Sequence, residues 1–428
     1  MDHFTRSGLT FDVIDSGPVD GTPVVLLHGF PQDAHAYDEV RPLLNDRGLR
    51  TLAPHQRGYS RGARPDDPAA YVMRELVADV LAMLDQAGLE QAHLVGHDWG
   101  AAVAWAVAIR HPGRVASLTA LSVPHPDAMG WALRHSTQGL KSWYMLAVQV
   151  PRLPEQLVLG PLGGGFEQGL TRLGVPAEPA RHYAARFRRP EDLRGPLNWY
   201  RALRHQTSRS TAKTGASASP GTKTERGTSV TVPTTFVWGN QDAYLGRAGA
   251  ERTGEHVSAD YRFVEVDATH WLPETHPDLV AAEIAARVLG EAAPPEPLTL
   301  TERLGHQPFL SVTTFRRSGE PVSTPMWVVQ DGDHLAFTTP LGVGKLKRLK
   351  HTQRVEVTPC DRRGRVADGA ERVPGTAVVS TDSRELARVE RLLEQKYRFE
   401  YHIMKVVERV ASRGERDRAV LRVDVDRP

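Results

Sequence analysis

The sequence predicts a mostly parallel α/β sheet carrying an inserted helical cap, followed by a small antiparallel β-barrel. Three observations carry that prediction. Short apolar, β-rich runs alternate with helix-patterned segments up to about residue 124 and again over 234–290, the signature of a parallel sheet covered on both faces. Between those stretches, residues 126–210 change to helical segments rich in Trp, Arg and Pro. Beyond the Pro-rich linker EAAPPEP at 291–297, strand follows strand across short turns such as RRSGE and DGD.

The 428 residues exceed one ordinary domain, and 40% hydrophobic with 24% charged residues is globular composition. Basic and acidic residues number 53 and 51, a net charge of +2, which argues against a nucleic-acid partner. The single cysteine, Cys360, excludes an intramolecular disulfide and a cysteine-based zinc site, and no metal is expected. The N-terminus lacks the basic start and apolar core of a signal peptide. No run of about 18 apolar residues occurs, so no membrane span is expected and the protein reads as soluble and cytoplasmic.

In order, residues 23–28 (PVVLLH) read as a strand buried on both faces. Residues 71–87 place Tyr71, Leu76, Val80, Leu81 and Leu84 at helical spacing. HLVGH (93–97) is a strand, AAVAWAVAIRHP (101–112) a helix stopped by Pro112, and VASLTALSVP (115–124) a strand. The cap spans about 126–210, and the Ser/Thr/Gly/Lys-rich stretch 206–229 is expected to be mobile. TTFVWG (234–239), YRFVEVD (261–267) and a helix near 278–290 complete a first domain, 1–290. In the second, 298–428, strands are expected at 309–315, 321–330, 334–339, 354–360, 375–381 and 419–426, with helices near 344–352 and 383–398.

The stretch HLVGHDWGAA (93–102) runs strand, tight turn, helix. That is the nucleophile elbow, in which the turn lifts one side chain above the sheet and Gly96 and Gly100 permit close strand–helix approach. The residue lifted here is Asp98. The nucleophile–acid–histidine order then points to Asp242, after the strand TTFVWG, and His270, after YRFVEVD. The backbone amides of Phe30 and Trp99 are placed to serve as oxyanion donors. A serine must lose a proton before attacking an acyl carbonyl, whereas an aspartate is already ionised and displaces a leaving group at saturated carbon. His270, oriented by Asp242, would then activate water against the resulting ester. The chemistry indicated is that of epoxides or alkyl halides, with a small apolar substrate.

HGFP, RGYS, GHDWG, WGNQD and THW together resemble the epoxide hydrolase and haloalkane dehalogenase branch of the α/β-hydrolase family, over about residues 8–290. HGFP and SVPHP (122–126) resemble the epoxide side, since dehalogenases of this branch typically carry Asn in place of Phe30. The resemblance implies two cap tyrosines that protonate the departing oxygen. PLNWYRAL (196–203) assigns one to Tyr200. The other position falls on Ala147 in SWYMLAVQVPRLPE, with Tyr144 one helical turn earlier. Tyr144 is read first as a packing aromatic beside Trp143, and second as a substitute phenol from a rotated cap helix. His55, in LAPHQRGYS, departs from the Asp common in relatives. A dehalogenase, or a reductase with a degenerate hydrolase half, are the alternative readings.

In the second domain, Thr338 and Thr339 end a strand, Gly342 and Gly344 open a helix, and Lys345, Lys347, Arg348 and Lys350 crowd its first turns. This is either a phosphate site or a solvated basic face. The order of elements resembles the pyridoxamine-phosphate-oxidase-like split barrels, most of all their deazaflavin-dependent branch, over about 298–426. The resemblance implies a homodimer binding deazaflavin coenzyme F-420, or FMN, with Lys345 and Arg348 at the phosphate end and Thr338 and Thr339 alongside. Trp327 either stacks near the ring system or packs in the core. A barrel without a cofactor is the third possibility.

Overall fold

A computed structural model of the protein describes residues 1–150, 152–159, 165–207, 229–367, 370–398, 400–402 and 417–425. The chain divides into two units, Met1–Pro297 and Leu298–Pro428.

The first unit holds β1 (His3–Arg6), β2 (Leu9–Ser16), β3 (Thr22–Leu27), β4 (Leu49–Pro54), β5 (Ala92–His97), β6 (Val115–Leu121), β7 (Thr234–Gly239) and β8 (Tyr261–Val266). They form one sheet in the order β1-β2-β4-β3-β5-β6-β7-β8. The pairings β1–β2 and β2–β4 are antiparallel, and those from β4–β3 to β7–β8 are parallel. Period-two geometry sorts β3 onto two cores. Val25 and Leu27 meet the face covered by helices Met73–Gln86 and Trp99–Arg110, while Val24 and Leu26 meet the face of Val40–Asn45 and Pro277–Leu289. Burial on both faces explains why β3 and β7 are unbroken apolar runs. The edge pair β1–β2, absent from the sequence prediction, buries only alternate residues and so lacks such a run. Tyr71 sits in a short turn before the helix Met73–Gln86 rather than within it, yet remains buried.

Between β6 and β7 the described chain is helical, from Pro126–His135 to Leu203–Thr207. Residues 208–228, most of the stretch expected to be mobile, lie outside the described residues. The helix Pro190–Arg201 is anchored to the sheet side. Trp199 Nε1 donates to the Arg57 carbonyl (2.8 Å), and the Arg57 guanidinium holds Asp79 through two bonds of 2.7 Å. At the crossing point a Cβ on Gly195 would lie 2.7 Å from Gly58 Cα, so only two glycines allow the approach.

The second unit is a seven-stranded antiparallel sheet. Its strands are β9 (Leu310–Phe315), β10 (Pro321–Met326), β11 (Val329–Asp331), β12 (His334–Pro340), β13 (Arg354–Pro359), β14 (Val373–Ser380) and β15 (Arg418–Val425). The order is β10-β9-β13-β14-β15-β12-β11. The expected single strand over 321–330 is corrected here: it breaks at Trp327-Val328 into β10 and β11, which occupy opposite edges. Because so short a link joins the two edges, the sheet must curl on itself as a split barrel. Val312, Phe337, Val355, Val357 and Leu421 fill the interior, and Leu346 and Leu349 of the helix Gly344–Leu349 close it. The helix Ser383–Tyr397 covers a second cluster of Val389, Leu393, Ala336 and Val420.

Gly58 has φ +90°, and an added Cβ would meet the Gly195 carbonyl carbon at 2.8 Å. Gly58→Ala should therefore lower unfolding stability by about 2–3 kcal/mol in urea titrations. Gly113→Ala, where an added Cβ would meet no described atom within 4 Å, should change it by less than about 0.5 kcal/mol. Equal effects at the two sites would contradict the close-contact account.

Candidate active site

Asp98 lies between β5 and the helix Trp99–Arg110, with φ 52° and ψ −123°. A non-glycine residue there is strained by roughly 1–3 kcal/mol. The turn persists because its surroundings admit no other path. A Cβ on Gly100 would fall 2.0 Å from the Leu27 carbonyl oxygen, one on Gly96 2.4 Å from that of Gly100, and one on Gly29 2.3 Å from Asp98 Cβ. Strand β5 and the helix therefore meet β3 at backbone distance, and the Asp98 carboxylate is delivered to the loop after β3. The Phe30 amide donates to Asp98 Oδ1 at 2.8 Å. Trp99 begins the helix, so its N–H belongs to the first turn, whose amides have no intrahelical acceptor.

The second carboxylate oxygen faces the histidine. His270 Nε2 is 3.5 Å from Asp98 Oδ2, and His270 Nδ1 is 2.7 Å from Asp242 Oδ2. Asp242 and His270 follow β7 and β8, parallel neighbours in the sheet, which brings their loops to the same edge as Asp98. Asp242 is buried but satisfied: its Oδ1 accepts the amides of Tyr244 (2.7 Å) and Leu245 (2.9 Å). The His270 carbonyl is held by His97 Nε2 (2.8 Å) and Ser122 Oγ (2.9 Å), which fixes the ring's origin. Burial disfavours the imidazolium, yet Asp242 and Asp98 outweigh it and push the His270 pKa up to about 10. Burial likewise raises the Asp98 carboxyl, but the His270 contact reverses this and holds it below the usual carboxylate range. The pair is thus an ion pair of carboxylate and imidazolium.

Above Asp98 opens a largely apolar cavity of about 460 Å³, lined by Trp99, Tyr144, Tyr200 and Tyr244 among others. Tyr200 comes from the cap helix Pro190–Arg201, and its ring meets Trp99 (5.0 Å), Phe30 (5.8 Å) and Tyr144 (6.1 Å) edge to face. Burial first, then the Asp98 charge, raise its phenol pKa well above the ordinary value. The reading of Tyr144 as a packing aromatic beside Trp143 is corrected: Trp143 is 67% exposed, while Tyr144 lines the cavity. Ala147, on the same helix, is exposed. Tyr244 escaped the sequence reading; its ring touches His270 (5.1 Å) and Tyr144 (5.7 Å). Its signal was an aromatic two residues past Asp242, in the same loop. The structure therefore brings Asp98, Asp242, His270, Tyr200, Phe30 and Trp99 into one site, with Tyr144 and Tyr244 beside them.

In the second unit, Lys345 Nζ contacts Met326 Sδ (3.2 Å). Its pKa falls to about 8 through burial and the nearby charges of Arg348 and Arg418. Arg348 Nε donates to Thr314 Oγ1 (2.8 Å) and Arg418 Nη2 to Thr338 Oγ1 (2.9 Å). Among the described residues, the buried Thr339 Oγ1 has no hydrogen-bond partner. Arg418, on β15, was not foreseen. The helix Gly344–Leu349 is only six residues long, so its side chains matter here more than its dipole. Trp327 is not brought to this cluster: its ring stacks on Tyr397 (4.6 Å, 12°) under the helix Ser383–Tyr397.

Comparison with known proteins identifies the family of each unit. Residues 22–277 match the family described as alpha/beta hydrolase fold, and residues 299–427 match pyridoxamine 5'-phosphate oxidase. The AB hydrolase superfamily protein YfhM of Bacillus subtilis is 32% identical over 280 residues, covering 64% of this chain and 92% of that protein. Epoxide hydrolase A of Mycobacterium tuberculosis is 32% identical over 323 residues, covering 66% and 95%. Among solved structures, epoxide hydrolase A from Mycobacterium thermoresistibile aligns with TM-score 0.56 at 27% identity, covering 68% of this chain and 98% of that one. No helix among the described residues is long and apolar enough to cross a membrane. The chain belongs to the α/β hydrolase fold family, in its epoxide-hydrolase-like part, and carries a C-terminal domain of the pyridoxamine 5'-phosphate oxidase type.

Proposed function

We propose that the first domain hydrolyses epoxides through an alkyl ester on Asp98. The observation that carries this is the division of the Asp98 carboxylate: Oδ1 sits on the Phe30 amide and Oδ2 turns toward His270 beneath the phenols of Tyr144 and Tyr200. Oδ2 attacks a ring carbon, the ring C–O bond breaks, and the departing oxygen takes a proton from Tyr200, with Tyr144 as its partner. A buried tyrosinate is unfavourable, so the phenol regains a proton as His270 loses one. Ester formation favours that transfer, because it removes one of the two negative charges supporting the imidazolium. Neutral His270 then takes a proton from water, which attacks the ester carbonyl carbon. The developing oxyanion already lies on the Phe30 amide, with the Trp99 amide as second donor. Collapse releases the diol, which leaves with the proton from His270, and the new carboxyl ionises onto His270. The likeness to epoxide hydrolase A, and Phe30 rather than Asn, support an epoxide over a haloalkane.

We further propose that the second domain binds the phosphate-bearing end of FMN or of deazaflavin F-420. Lys345 is depressed first by burial and then by two guanidiniums, and Thr339 keeps a buried hydroxyl with no partner among the described residues; an anionic group would relieve both. Lys345, Arg348 and Arg418 would hold that group, with Thr339 donating to it. A bound flavin or deazaflavin would supply hydride transfer. The resemblance to split barrels supports a homodimer, and a substrate passing through both chemistries is the reading that linkage of the domains favours.

His270→Gln should trap the ester. Intact mass after brief exposure to an epoxide panel should show one epoxide added, mapping to Asp98; no adduct with any epoxide or haloalkane would contradict the mechanism. In that background Tyr200→Phe should slow adduct formation by about 10²-fold or more. Halide release with no effect of Tyr200→Phe would favour a dehalogenase.

The raised His270 pKa, about 10 against about 6.5 for a free histidine, means that the folded protein holds this proton more tightly than the unfolded chain. The stabilisation is complete below pH about 6.5 and disappears as pH rises through about 10. Urea midpoints should fall across that window in the wild type and fall less in His270→Gln; parallel curves would count against the ion pair.

Lys345→Ala should weaken binding of FMN and of F-420, titrated separately by fluorescence, by at least about tenfold. Affinity unchanged for both, or no binding by the wild type, would remove the cofactor reading.

A further inference from the structure

A second polar cluster lies in the first unit, away from the triad. Asp33, in the loop after β3, is fully buried; its Oδ1 accepts the His35 amide (2.9 Å). Its Oδ2 takes two contacts from the cap helix Ala177–Arg186, His182 Nε2 at 3.0 Å and Arg186 Nη1 at 2.8 Å. The His35 ring stands 4.7 Å from that of His182 and 5.6 Å from that of His55. One ligand atom from each of Asp33, His35 and His182 lies within 4.8 Å of the other two.

We propose that Asp33, His35 and His182 bind one divalent ion of the zinc type, fastening the cap helix to the core loop. One carboxylate with two imidazoles and an open fourth position is a donor set suited to such an ion. The Asp33 and His182 atoms are already at the separation of neighbouring ligands. His35 and His182 side chains are 38% and 39% exposed, so both rings can turn and water can reach the open position. His35 Nδ1 contacts Asp38 Oδ2 (2.9 Å), which leaves Nε2 for the ion and supplies the outer carboxylate that orients metal-binding histidines. His55, whose departure from its relatives had no explanation in sequence, belongs to this cluster. Arg186 is the resident cation at Asp33 and competes with the ion. The sequence holds no compact metal motif because the ligands come from a core loop and a cap helix. The site is separate from Asp98 and does not depend on which electrophile the triad accepts.

The test is zinc chloride titrated by calorimetry into the untagged full chain after chelator treatment, with cobalt(II) absorption as a second measure of coordination by nitrogen and oxygen. The expected result is one saturable site per chain. His35→Ala and His182→Ala should each weaken it at least about tenfold, and Arg186→Gln should tighten it. His256→Ala, in the stacked His125–His256 pair, should leave it unchanged. Zinc that does not saturate, a site that neither His35→Ala nor His182→Ala weakens, an Arg186→Gln variant that binds no more tightly, or a site lost in His256→Ala would each overturn the proposal. Urea midpoints for each variant without metal separate loss of ligand from loss of fold.

Discussion

A buried imidazolium between two carboxylates is the interaction on which the active domain turns. His270 in isolation would be neutral at such a depth. It is charged because Asp242 and Asp98 approach it from either side, and each carboxylate is itself satisfied by backbone amides. Removing any partner would strand a buried charge, which is why the surrounding structure is so constrained. The strained φ of Asp98, the glycines at 29, 96 and 100, and the double hold on the His270 carbonyl all place these three side chains. The parallel sheet supplies the rest: β3, β5, β7 and β8 each deliver one component from their C-terminal ends.

The cap is tied into the same arrangement. Gln32 Oε1 accepts the Gly29 amide (2.9 Å), next to the Phe30 donor, and Gln32 Nε2 donates to Glu274 Oε1 (2.6 Å). Tyr183 of the cap helix Ala177–Arg186 donates to that same oxygen (2.8 Å). Cap position, the loop whose Phe30 amide meets Asp98 and the loop carrying His270 thus share one buried chain of hydrogen bonds. Together with the Gly58–Gly195 contact, it fixes the height of Tyr200 above the carboxylate.

The triad was legible in the sequence because each member is a local event, a polar residue just past an apolar strand, and topology does the assembly. Glycines 96 and 100 could be read for the same reason: a close backbone approach leaves a chain-local signature. The cap was not legible to that depth. Which of Tyr144 and Ala147 faces Asp98 depends on how a five-residue helix is turned, and nothing in its periodicity records that. Tyr244 was missed because an aromatic in a loop reads as packing. In the second domain, PVSTPMWVVQ has no turn residue at Trp327-Val328, where it breaks, and the break is forced only by closure of the barrel. Arg418 joins Lys345 only through strand pairing of β15 with β12. Local chemistry was readable; long-range convergence was not.

The proposed hydrolysis requires water to enter the product by way of the Asp98 carboxylate. A single turnover with excess enzyme in 18O-labelled water, followed by mass analysis of diol and peptide, tests it most directly. Label should appear in the peptide bearing Asp98 and the diol should be unlabelled, because in the proposed mechanism water attacks the ester carbonyl and leaves its oxygen on the enzyme. Label in the diol after one turnover, with the Asp98 peptide unlabelled, would mean that water attacks the epoxide carbon directly and would contradict the covalent mechanism.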